Sequence, residues 1–159
     1  MNPKAKSFSF LLGLAGLGLI ATVVVAANQG PVRQRVNTPP LPNVGFAPVR
    51  PMDVVKATYD FAAQHPEVLK YVPCYCGCGS QGHKANESCF VARRDPKGNV
   101  LEWDTHGFGY TICIDVARQA MQMYSSGADV MTIRAAVERT YGPTHGDTRT
   151  PTPPPPGKK

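Results

Sequence analysis

The sequence predicts an α+β fold: a small, mainly helical domain of three helices and one short β-hairpin, preceded by an N-terminal transmembrane helix. Three observations lead there. Three segments repeat apolar residues every three to four positions, two short runs rich in β-branched and aromatic residues flank Asp95-Pro96-Lys97-Gly98-Asn99, and a long uncharged run opens the chain. The chain has 159 residues with 16 prolines and 5 cysteines. Hydrophobic and proline-bearing flanks confine the core-forming part to residues 50–142, enough for one domain.

The elements follow in order. Lys4 and Lys6 precede Phe8 to Ala27, a stretch without a formal charge that is long enough to span a bilayer. Val25-Ala26-Ala27 also suits signal peptidase, so residues 1–27 read as a membrane anchor or a signal peptide, the anchor being preferred. With the positive flank held inside, the remainder lies on the outer face of the membrane. Residues 28–49 hold five prolines and read as an extended linker.

Pro51 starts a helix with Val54, Val55, Thr58, Phe61 and Ala62 on its apolar face, ending near His65-Pro66. The cysteine-rich segment that follows reads as a loop. Phe90 to Arg94 and Val100 to Trp103 form the hairpin, with Gly98 suited to a left-handed turn position. A second helix begins around Cys113 and runs through Val116, Ala117, Ala120 and Tyr124 to Ser126, where Gly127 can cap it. Asp129 is the N-cap of a third, whose stripe Val130, Ile133, Val137 and Tyr141 ends at Gly142-Pro143. The short link makes these two an antiparallel pair. Residues 143–159, with five prolines from Pro151 to Pro156 and the Gly157-Lys158-Lys159 end, read as a flexible tail.

The formal charge of +6 does not belong to the domain. Residues 50–142 carry ten bases and ten acids, and the excess sits in the flanks, which removes the basis for a nucleic-acid partner. Asp104 and Asp115 flank Cys113 without a nucleophile and acid arranged around them. A turn or cap role for Asp104 and a first-turn helix position for Asp115 account for both.

Cys74, Cys76 and Cys78 alternate along Pro73-Cys74-Tyr75-Cys76-Gly77-Cys78-Gly79, and side chains two apart on extended backbone face the same way. Gly77 and Gly79 let the chain curl, and Cys89 and Cys113 can close the site. Clustered thiolates suit a soft metal, copper(I) first and zinc second. Two other readings stay open. Structural disulfides would stabilise a small exported domain by about 2–4 kcal/mol each. Thiol–disulfide exchange is the third, although the familiar Cys-x-x-Cys is absent.

His83, inside the cysteine loop, joins the candidate metal ligands Cys74, Cys76, Cys78, Cys89 and Cys113. His106 is a weaker candidate. His65 reads as helix-end chemistry, His145 as part of the tail approach, and Met121, Met123 and Met131 as core. Trp103, Phe108, Tyr75 and Tyr110 are candidates to cover the cysteines or to fill the core.

From Pro73 to Gly79, through Gly82-His83-Lys84, Cys89 and Cys113-Ile114-Asp115-Val116-Ala117, the chain resembles the bacterial family known by its Pro-Cys-Tyr-Cys-Gly-Cys motif. The resemblance covers residues 50–142 and implies an exported or membrane-attached protein; the family's function is uncharacterised. Many members look like lipoproteins, whereas this chain has no cysteine at the signal boundary, which favours a protein anchor. Met123-Tyr124-Ser125-Ser126-Gly127, Ile133-Arg134 and Val137 to Gly142 are similar to the helical hairpin of the membrane-anchored thiol subunit in cytochrome c maturation. That likeness implies redox handling of haem-attachment thiols, but the Cys-x-x-Cys is missing, so only the scaffold carries over. The expectation is an extracytoplasmic, membrane-tethered copper-binding protein, an accessory to a membrane metalloprotein or respiratory complex.

Overall fold

A computed structural model describes residues 35–157. The hydrophobic run 8–27 and the first part of the linker lie outside the described residues. No helix among the described residues is long and apolar enough to cross a membrane.

Helix α1 (Met52–Gln64) buries Val55, Thr58, Tyr59, Phe61, Ala62 and Ala63, the expected spacing brought onto one face. His65 ends it by donating its N–H to the Phe61 carbonyl, and Pro66 opens a one-turn helix, α2 (Pro66–Leu69). The hairpin pairs β1 (Val91–Arg94) with β2 (Val100–Trp103) antiparallel, Val91 opposite Trp103 and Arg94 opposite Val100. Its turn is closed by the Asp95 carboxylate, which accepts from the Lys97 and Asn99 N–H groups, while Gly98 takes φ 89°. A second one-turn helix, α3 (His106–Gly109), leads into α4 (Thr111–Ser125), and α5 (Val130–His145) packs back on it. Gly127 is left-handed at φ 86°, and the Asp129 side chain accepts from the Thr132 N–H as a proper N-cap.

Helix α4 is the centre of the fold, touching α1 on one side and α5 on the other. Its buried Ile114, Val116, Ala117 and Ala120 meet Val55 and Ala62 of α1 and Ile133 and Val137 of α5 in one core. A second group of rings lies under the hairpin, where Tyr59 meets Phe90 edge-on at 5.1 Å, Trp103 at 5.4 Å and Phe108 at 4.9 Å. Trp103 and Phe108 thus serve the core around Tyr59. Gly107 fits beneath these rings because it has no side chain: a Cβ there would stand 2.6 Å from Phe90 and 2.9 Å from Tyr59. Gly107→Ala is expected to destabilise the domain by about 1–3 kcal/mol, visible as a lower urea midpoint; an unchanged midpoint would show that the rings move freely.

Both flanks depart from expectation. The linker is extended, as its prolines require, but from Val36 onward it is a strap on the domain. Gln64 exchanges two hydrogen bonds with the Val36 backbone, the Asn37 carbonyl accepts from Val100, the Pro39 carbonyl from the Trp103 indole, and Val49 donates to Phe108. Prolines lack a donor yet keep their carbonyls, and the domain supplies the donors. At the other end α5 continues past Gly142-Pro143 to His145, with the proline inside its last turn. The tail then runs through a 3-10 turn, Gly146–Thr148, and lies against the cysteine loop rather than trailing free. Met131, expected in the core, is exposed, because the buried face of α5 runs through Ile133, Ala136 and Val137.

Candidate metal centre

The cysteine loop leaves α2 and is pinned at both ends. The Asn86 N–H donates to the Val72 carbonyl at 2.8 Å, and the fully buried Asn86 amide donates to the Cys113 carbonyl at 3.1 Å, tying the loop to the first turn of α4. Arg94 braces the outer side, pairing with Glu87 at 2.9 Å and donating to the carbonyls of Ala62 and Ala63 at the end of α1. The tail closes the remaining side. Thr150, fully buried, donates its N–H to the Cys74 carbonyl and accepts the Cys74 N–H on Oγ1, both at 2.9 Å, while Thr148 donates its hydroxyl to the Tyr75 carbonyl.

Within this frame five sulfurs meet. Cys74 Sγ is 3.5 Å from Cys76 and 3.6 Å from Cys113, and Cys89 is 3.5 Å from Cys78 and 4.0 Å from Cys76. The sulfurs of Cys74, Cys76, Cys78 and Cys89 all lie within 4.8 Å of one another. A metal bound by four thiolates at about 2.3 Å holds its sulfurs roughly 3.8 Å apart, so this quartet has the spacing of a coordination shell. It can hold a soft metal ion. All five thiols are free, and no pair approaches the roughly 2.05 Å of a disulfide, so the structural-bridge reading does not describe this structure.

Simple alternation along an extended strand is not what brings the sulfurs together. Gly77 is left-handed at φ 80° and turns the chain into a 3-10 turn, Cys78–Gln81, which swings Cys78 back toward Cys89. Gly79 lies beside the tail, where a Cβ would make only an ordinary 3.5 Å contact with the Pro151 ring. Cys113 does sit in the first turn of α4, but its N–H is already donated to the Tyr110 carbonyl.

The thiols hold one another in unequal states. Hydrogen bonds from Cys113, Cys74 and the other thiols hold Cys76 far below the ordinary thiol range, and Cys74 is lowered first by Cys113. The other three are raised: Cys78 and Cys113 chiefly through Cys74, and Cys89 chiefly through Cys113. A cation placed among the sulfurs would favour the thiolate at each of them. Cys76 is also the one cysteine that is not fully buried. In metal-free protein it is expected to react with iodoacetamide first and to keep reacting below pH 7, where an ordinary thiol has stopped; peptide mapping of partial alkylation checks this.

His83 borders the sulfurs, its Nδ1 3.7 Å from Cys89, and its Nε2 faces the Asp104 carboxylate at 3.3 Å. Asp104 forms a turn ahead of α3 by accepting the His106 N–H, and the same oxygen lies 2.7 Å from His106 Nδ1. The buried Tyr59 hydroxyl, its ionisation opposed by desolvation, donates to the Asp104 carbonyl at 2.7 Å and holds that residue in place. Asp115 instead forms a two-pronged pair with Arg50. His65 packs between Phe61 and Tyr124 and pairs with Glu67, and His145 meets Thr144. Tyr75 stacks on Tyr141 and Tyr110 on His106.

Sequence reasoning missed the tail threonines, which carry no signal amid prolines, and the Arg94 brace. It discounted Asp104 as a turn residue, although the Asp104-x-His106 spacing was there to be read. No curated protein and no solved structure matches the chain, and the helical-hairpin likeness to cytochrome c maturation rests on sequence alone. A family model does match, over residues 47–155, and that span takes in the Cys74–Cys78 motif, Cys89, Cys113 and the threonine tail that closes over them. The chain belongs to the family of proteins of unknown function with the PCYCGC motif.

Proposed function

We propose that this protein binds copper(I) through clustered thiolates on the extracytoplasmic side of a membrane, tethered by its N-terminal run, with zinc as the second choice of metal. The observation that carries the reading is the quartet Cys74, Cys76, Cys78 and Cys89, unbonded sulfurs within 4.8 Å of one another in a largely buried pocket of the chain. Copper is supported by the fifth sulfur. A single tetrahedral zinc needs four thiolates, whereas Cys113 at 3.6 Å from Cys74 allows thiolates to be shared among several monovalent ions. The location is supported by Lys4 and Lys6 ahead of twenty uncharged residues. A carrier of this kind serves as an accessory to a membrane metalloprotein or respiratory complex.

Elemental analysis of protein purified with its native metal, with free thiols counted on the same sample, tests this. Copper with no disulfide is the expected result; metal-free protein that resists reconstitution and contains two disulfides would overturn it. The latter outcome belongs to structural disulfides; thiol–disulfide exchange, the second reading, which the 3.5 Å approach of Cys78 to Cys89 favours, predicts instead mixed disulfides trapped in single-cysteine variants.

A further inference from the structure

We propose that His83, Asp104 and His106 form a second metal site, beside the thiolate cluster and distinct from it, suited to a divalent ion of the zinc or copper(II) class. The site goes beyond the thiolate reading because its donors are nitrogen and oxygen. Its three side chains come from the cysteine loop, the residue after β2 and the first residue of α3. One ligand atom from each lies within 4.8 Å of the others.

The spacing is that of a coordination shell. Bonds of about 2.0–2.1 Å to nitrogen and oxygen set neighbouring donors roughly 3.3 Å apart in a tetrahedral site. His83 Nε2 already stands 3.3 Å from Asp104 Oδ2. The 2.7 Å contact of His106 Nδ1 with Asp104 Oδ1 is a hydrogen bond, and an ion entering between them opens it by about half an ångström. The three side chains are 13%, 17% and 15% exposed in chain order, dry enough to hold an ion and open enough to admit a fourth ligand.

Each ligand is also held from behind. Asp104 is anchored by the Tyr59 hydroxyl on its carbonyl and by the His106 N–H on its carboxylate. The His106 ring is stacked on Tyr110 at 5.3 Å. His83 turns Nδ1 toward Cys89 Sγ, which leaves Nε2 for the ion. Two imidazoles with one carboxylate and an open position are the donor set of borderline divalent ions, whereas monovalent soft ions go to sulfur. The chain thus presents, side by side, one site for each class.

The full-length protein is first saturated with silver(I), which occupies the thiolates, and then dialysed against zinc(II). The expected result is one zinc per chain, bound at least tenfold more weakly in His106→Ala and Asp104→Asn, with silver stoichiometry the same in all three. Nitrogen-15 NMR of the wild-type protein adds a measurement that no variant's misfolding can spoil: zinc should shift His83 Nε2 and His106 Nδ1. Zinc that is not taken up, that binds Asp104→Asn as well as wild type, or that moves neither nitrogen would overturn the proposal. Failure of the thiolate reading looks different, as silver that does not bind while the histidine resonances still respond to zinc.

Discussion

Cys89→Ser should lower copper(I) affinity by on the order of 100-fold or more, because Cys89 joins the two halves of the thiolate cluster. Its sulfur reaches Cys78 at 3.5 Å, Cys76 at 4.0 Å and His83 at 3.7 Å, and its side chain is fully buried. A serine hydroxyl is a hard donor that stays protonated at neutral pH, so the variant loses a ligand without gaining another. Altering a group that merely supports a ligand already costs roughly 10–100-fold, which sets the lower bound. Cys113→Ser gives the contrast: its sulfur lies outside the quartet, 3.6 Å from Cys74, so the number of ions bound should fall while the first binds as before. Competition with a chromophoric copper(I) chelator measures both, and unchanged affinity in Cys89→Ser would remove that residue from the coordination shell.

Stripping the metal should lower the melting temperature by more than about 10 °C. The segment between α2 and β1 has two 3-10 turns as its only regular structure, so an ion bound by Cys74, Cys76, Cys78 and Cys89 cross-links a stretch that no long helix or strand supports. A ligand of the folded state at 1,000 times its dissociation constant adds about 4 kcal/mol, less whatever it gains from unfolded thiols. For a domain of this size each kcal/mol corresponds to roughly 3–6 °C. Melts of loaded and chelator-treated protein, at matched thiol reduction, give the shift directly, and coincident melts would show that the cluster does not hold metal in the folded chain.

The two kinds of element were unequally legible. The three long helices announce themselves because burial of one stripe of each in the core imposes a period of three to four residues, as in Val55, Tyr59 and Ala62 or Ile133 and Val137. The hairpin is equally plain, since Asp95 and Gly98 meet local backbone demands that few other residues satisfy. The strap and the tail escaped for the opposite reason. Val36, Pro39, Thr148 and Thr150 are each held by one or two hydrogen bonds to distant residues, and such bonds leave no periodic trace.

The candidate site divides along the same line. That Cys74, Cys76 and Cys78 could converge was legible in residue type and local spacing, with Cys89 and Cys113 as residues able to close the site. How they meet was decided by tertiary structure: the left-handed Gly77 turn, the Asn86 tie to α4 and the Thr150 clasp each act across the fold. His106 shows the limit most clearly. Its distance in sequence from His83 conceals a ring-to-ring separation of 4.5 Å, and Asp104 is set between them by bonds to Tyr59, 45 residues earlier, and to Phe90. A sequence can specify donors and local turns by itself, but the distances that make donors into a site come from packing between elements far apart in the chain.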